Sequence, residues 1–207
     1  MKKYIALAIL VFIAVGCGAQ SKKDFNYGLE ELNRLNQKYE VDMSRSPDST
    51  EKIDLFLAEL EDLRKTEFES GGDAFKSLID YRIHNLQADR YFIENKMKYG
   101  ERGTTIKGFG CKGRHRILNS SSLRMMSASE GFKAVEQIYK LVENYPEESK
   151  TAGLSRKDAL FLNATFYEIN NQAKRDNRTI EKFCTEEIYQ QLMEEEELKK
   201  GLLDIEE

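Results

Sequence analysis

The sequence predicts an all-α domain, built as a helical hairpin or bundle of about six helices. Three observations predict it. Only three valines follow residue 15, while Leu, Glu, Lys and Gln are abundant, a composition that favours helix over sheet. Apolar residues recur at spacings of three and four through most of the chain. The two prolines, Pro47 and Pro146, fall between the periodic segments, where they end helices without breaking them.

The first helix is expected from about Asp24 to Tyr39, with Phe25, Leu29, Leu32 and Leu35 gathered on one face. Asp48 or Ser49 caps a second, in which Ile53, Phe56, Leu57, Leu60 and Leu63 repeat the pattern to about Phe68. Gly71 and Gly72 mark a break. The longest helix then runs from about Asp73 to Tyr99, carrying Phe75, Ile79, Ile83, Leu86, Ile93 and Met97. From Gly100 to Gly113 glycines are frequent and the period is lost, which predicts a loop. After Ser120–Ser122 and a short helix or turn through Leu123–Met126, Ser127 and Glu130 stand at capping-box spacing. They predict a helix start there, running to Tyr145, with Phe132, Val135, Ile138 and Val142 as its buried stripe. Ser155 with Asp158 opens another helix, filled by Ala159, Leu160, Leu162, Phe166 and Ile169 to about Ala173. A last helix starts near Thr179 and passes into an acidic tail.

The N-terminus has the three-part layout of an export signal: Lys2-Lys3, an apolar stretch from Tyr4 to Val15, and a small-residue end at Gly16. As a helix the apolar stretch would span roughly 20 Å, short of the roughly 30 Å hydrocarbon core of a bilayer. A cleaved signal over 1–16, a linker over 17–23 and a single helical domain over 24–207 follow as the expected organisation. The segment Ile13-Ala14-Val15-Gly16-Cys17 resembles a bacterial lipobox, although Ala14 stands where Leu is usual. The resemblance implies lipidation of Cys17, with acyl chains of the palmitate class, and cleavage before it. Two or more acyl chains suffice for stable anchoring, at about 0.8 kcal/mol per buried methylene. The expected location is extracytoplasmic, on the cell membrane or the outer membrane. Gly18 is not the Asp that favours inner-membrane retention.

The formal charge of −4 becomes −6 once the two lysines of the signal are removed. Net acidity disfavours general nucleic-acid binding, where phosphate neutralisation dominates affinity. With Cys17 lipidated, Cys111 and Cys184 remain. An oxidising compartment permits a disulfide between them; two unpaired buried thiols are the other reading.

The segment Gly108-Phe109-Gly110-Cys111-Lys112-Gly113 fits GxGxxG. The preceding Gly103–Lys107 is too polar for the buried strand that a phosphate-binding turn needs. The region is more informative as charge. Lys98, Arg102, Lys107, Lys112, Arg114 and Arg116 face only Glu101 between residues 98 and 116, a net +5. Of these, Arg102, Lys107, Lys112, Arg114 and Arg116 are candidate ligand-binding residues for a small anionic ligand or an anionic lipid, with Tyr91, Tyr99 and Phe109 as nearby aromatics. The alternative is self-pairing, because residues 186–207 carry a net −7.

No catalytic residues are identified. His84 and His115 have no partner at metal-ligand spacing, and neither HExxH nor paired CxxC occurs. The serines at 120–122 have no nucleophile-and-base arrangement around them and fit a cap or loop. No metal or cofactor is implied, and the reading leans away from an enzyme. Asn119, Asn163 and Asn177 each begin an N-x-Ser/Thr triplet, a set treated as chance.

The stretch from Glu130 to Ala173 resembles a tetratricopeptide hairpin through Ala134, Tyr139, Glu143-Asn144-Tyr145-Pro146, Ala152, Ala159 and Ala164. The resemblance implies recognition of other proteins through a helical groove. The expected function is therefore a non-enzymatic envelope lipoprotein that binds another protein as scaffold, assembly factor or inhibitor. Binding of an anionic ligand or lipid through the loop at 98–116 is the alternative.

Overall fold

Asp24 begins the domain by accepting the Tyr27 amide on its side chain at 3.0 Å, which satisfies one of the free donors of a new helix. The computed structural model describes residues 23–100 and 110–203. The signal, Cys17, Arg102, Lys107 and Phe109 lie outside the described residues. Helix α1 spans Phe25–Lys38 and α2 spans Thr50–Arg64, the latter capped by the Ser49 hydroxyl. Phe25, Leu32, Leu35, Ile53, Phe56 and Leu60 are buried as their spacing predicts. Helix α2 stops at Arg64, short of the expected Phe68. Phe68 instead lays its ring 4.7 Å from that of Phe75.

Helix α3 spans Gly72–Tyr99 and is a central strut. A 3-10 turn at Cys111–Gly113 leads directly into α4, Arg114–Asn144. This corrects the expected boundary near Ser127. Ser127 is buried in the middle of α4, and Glu130 bonds His84 of α3 at 2.8 Å instead of returning to a cap. Ser120 and Ser121 are likewise buried within the helix, neither cap nor loop. Pro146 opens a short helix, α5, Pro146–Thr151. The Ser155/Asp158 capping box does form and starts α6, which runs from Arg156 to Phe183, well past the expected end at Ala173. Helix α7, Glu186–Leu203, starts later than the predicted Thr179. Seven α-helices and no strand occur among the described residues.

Cross-helix contacts fix the topology. His84 meets Glu130, and Arg116 reaches the Tyr99 carbonyl at 3.4 Å, so α3 and α4 are antiparallel. Gly131 lies under the Phe166 ring and Arg124 pairs with Asp176 at 2.7 Å, so α6 is antiparallel to α4. The Glu130–Ala173 stretch therefore forms two facing helices, which continue to Arg114 on one side and Phe183 on the other. Gly28 and Gly131 are points of close approach: a Cβ on Gly28 would sit 2.5 Å from the Phe75 ring, and one on Gly131 would enter the Phe166 ring.

Burial is uneven along the bundle. One end joins α1, α2, the first half of α3, the last half of α4 and the start of α6 in a continuous apolar core that includes Leu32, Phe56, Phe75, Leu78, Leu86, Ile138 and Leu141. The middle of the α3–α4–α6 seam holds Ala88, Ala128 and Phe166, beside buried Ser120, Ser121, Arg124 and Ser127. The far end has a small apolar cluster of Ile117, Ile180 and Cys184, with Cys111 and Leu118 partly buried against it.

Arg82 is fully buried in the apolar end. It donates to the Met43 carbonyl at 3.1 Å and the Arg45 carbonyl at 2.5 Å, and its guanidinium lies 5.3 Å from the Phe56 ring centroid. Burial pulls its pKa down to about 10, so the side chain stays charged at neutral pH. It ties the connection between α1 and α2 to the middle of α3. Burial also raises the pKa of Asp89, which accepts from Ser46 in the same connection.

Candidate functional site

Two surfaces bear on function. The first is the basic region next to the cysteines. Cys111 and Cys184 are joined, with Cα atoms 5.3 Å apart. This bond fastens the turn before α4 to the end of α6. Lys112 pairs with Glu196 at 2.9 Å. Arg114 bonds Glu186 and donates to the Cys184 carbonyl at 3.1 Å. His115 lies 3.8 Å from Glu186 and edge-on to Tyr189, ring centroids 4.6 Å apart. Arg116 turns the other way, to the Tyr99 carbonyl, with its guanidinium 5.8 Å from that ring's centroid. The Glu186 carboxyl sits below its ordinary range, held there by the Gln190 amide and by the charges of Arg114 and His115. Of the five candidate cations, Lys112 and Arg114 thus meet α7, Arg116 meets α3, and Arg102 and Lys107 lie outside the described residues.

The second surface is the side of α6 turned away from α4. Ala159, Phe166, Ala173 and Ile180 recur every seven residues as its buried seam. On the opposite side Phe161 is 73% exposed, Tyr167 60% and Leu160 54%, with exposed Ala164 between them. Leu160 was expected to fill the interior; it faces solvent, because α6 packs chiefly against α4 and the period carries this residue round to the outer side. Phe161 and Tyr167 were missed altogether. For Tyr167 a signal was available: residues 157, 160, 164, 167 and 171 form a three-four-three-four row on the side of α6 away from the buried seam; Phe161 lies outside that row. The exposed area of the three large side chains sums to on the order of 400 Å². Met97, expected as part of the α3 stripe, is also 67% exposed.

His84 and Glu130 form the main polar contact between α3 and α4, and Lys133 joins it at 2.7 Å. Burial pushes the Glu130 carboxyl up, but the hydrogen bonds from Lys133 and His84 outweigh it and hold the group below its ordinary value. A cleft of about 490 Å³ between Asn33 and Ser44 has Asp42 as its one ionisable lining residue. Among the described residues no group of three or more His, Cys, Asp or Glu side chains is placed to hold a metal ion. None of the helices described is long and apolar enough to cross a membrane.

Comparison with protein-family models, curated proteins and solved structures returns no match.

Proposed function

We propose that this chain is a lipid-anchored extracytoplasmic protein whose helical domain binds another protein through the outer face of α6. The observation that carries the binding reading is the exposure of Leu160, Phe161 and Tyr167 on the side of α6 away from α4. Water-exposed aromatics on an otherwise charged helix gain free energy on being covered. The tetratricopeptide-like residues between Glu130 and Ala173 support the same reading, because such hairpins recognise proteins. The lipobox-like Ile13–Cys17 segment supports an anchor on the cell membrane or outer membrane, and the joined Cys111 and Cys184 suit an oxidising compartment.

The engagement of Lys112 and Arg114 by Glu196 and Glu186 favours protein binding over the anionic-ligand alternative, since these cations already have counter-charges. Crosslinking in intact cells, followed by purification of the full chain, tests the proposal. A partner crosslinked to wild type and lost from a folded Phe161→Glu/Tyr167→Glu variant is the expected result. Equal recovery with the variant would remove α6 as the binding face.

A further inference from the structure

We infer that α7 is a charge-latched strap, which closes over the basic turn between Cys111 and Arg116 and swings away about Thr185 as ionic strength rises, uncovering Lys112, Arg114 and His115. The inference concerns a different surface from the outer face of α6 and does not depend on it.

Local chemistry sets the hinge. Cys184 leaves the helical region, with φ −147° and ψ 74°, and ends α6. Thr185 then starts α7 afresh: its hydroxyl accepts the Ile188 amide at 3.4 Å and its carbonyl the Tyr189 amide at 3.1 Å, the pattern of an N-cap. On the α6 side of Thr185, the bond to Cys111 and the Arg114 contact with the Cys184 carbonyl fix the helix end to the turn. These anchors stay in place when α7 moves. Among the described residues the turn is also the main tertiary neighbour of α7.

The latch is charge. Helix α7 carries six glutamates against two lysines, and residues 112–116 carry Lys112, Arg114 and Arg116 with no acid. Glu186 bonds Arg114 and lies 3.8 Å from His115, while Glu196 pairs with Lys112 at 2.9 Å. Packing adds less. Tyr189, Leu192, Met193 and Glu196 form a half-buried inner row, but no residue from 186 to 197 is buried, whereas each of the other six helices has buried residues. The carboxylates of Glu186 and Glu196 are 51% and 38% exposed. Partly solvated pairs contribute little each and are screened by salt, so the closed state holds by a small margin that salt removes.

The test is hydrogen exchange on the full chain with the Cys111–Cys184 bond intact, in about 20 mM and about 500 mM sodium chloride. A helix of this length is marginal alone in water, so release of α7 exposes its amides. Amides of 188–197 are expected to exchange about fivefold faster at the higher salt, while those of 159–180 in α6 are unchanged and serve as the internal reference. Glu186→Gln/Glu196→Gln exchanges at the faster rate in both salts. Lys112→Glu also speeds exchange, and adding Glu196→Lys slows it again. Protection of 188–197 that is the same at both salts in wild type overturns the inference, whether that protection is high or absent. Salt dependence that survives Glu186→Gln/Glu196→Gln overturns the charge latch, and an equal loss at 159–180 overturns the hinge at Thr185.

Discussion

Replacing both Cys111 and Cys184 by Ala is expected to loosen one end of the bundle while leaving the other folded. The bond closes a sequence separation of 73 residues. In the chain-entropy account this stabilises the folded state by about 4.4 kcal/mol. Loop length enters only logarithmically, so even if the distal half opens alone, with an effective loop about half as long, the contribution falls by only about 0.6 kcal/mol. Besides the bond, that end is held by the Arg114 contacts to Glu186 and the Cys184 carbonyl, the Lys112–Glu196 pair and a small apolar cluster. Ile117 and Ile180 are its buried aliphatics, together contributing about 3–6 kcal/mol. The bond, at about 4.4 kcal/mol, is therefore comparable with the whole aliphatic contribution at that end. Hydrogen exchange followed residue by residue is the assay. In the Cys-free chain, amides of 114–122 and 176–184 should lose protection, while those of 74–86 and 134–141 keep it. Unchanged protection at 176–184 would refute the reasoning, since it would mean that side-chain packing alone secures that end.

Three other outcomes follow from the interior. Arg82→Leu leaves the Met43 and Arg45 carbonyls without their donor, and should cost about 3 kcal/mol in urea unfolding; a change under 1 kcal/mol would deny Arg82 its structural role. Gly131→Ala gains about 1 kcal/mol of helix propensity but forces a methyl into the Phe166 ring, at about 1–3 kcal/mol. A net loss that Phe166→Leu partly recovers is expected in thermal melts. Glu130 has a folded pKa below its ordinary 4.5. Its contribution to stability is thus fully present above that value and is lost as pH falls through the folded pKa. Glu130→Gln should flatten the acid side of the stability profile, and an unaltered slope below pH 4.5 would contradict this.

The helices of the apolar end were legible because their burial follows a single stripe: Phe25, Leu32 and Leu35 in α1, and Ile53, Phe56 and Leu60 in α2. Helix α4 was divided in the sequence reading because serine and glutamate serve equally as caps and as tertiary partners. Ser127 and Glu130 have capping-box spacing, yet one lies inside the helical seam and the other bonds a histidine of α3. Spacing along the chain does not encode which neighbour will arrive from elsewhere. Ser155 and Asp158 have the same pattern and do cap, because no helix packs over them. The cysteine pair was legible by elimination, and the tail's acidity anticipated the Lys112 and Arg114 ion pairs. The α6 surface was not, because Leu160 resembles any core leucine until the helix is placed at the edge of the bundle.

The account's most general claim is that the domain works on a membrane outside the cytoplasm, and mass spectrometry of the N-terminal peptide from the membrane fraction tests it most directly. The account predicts a chain that begins at Cys17 and carries acyl chains there. A chain that retains Met1 with an unmodified Cys17 thiol would contradict it.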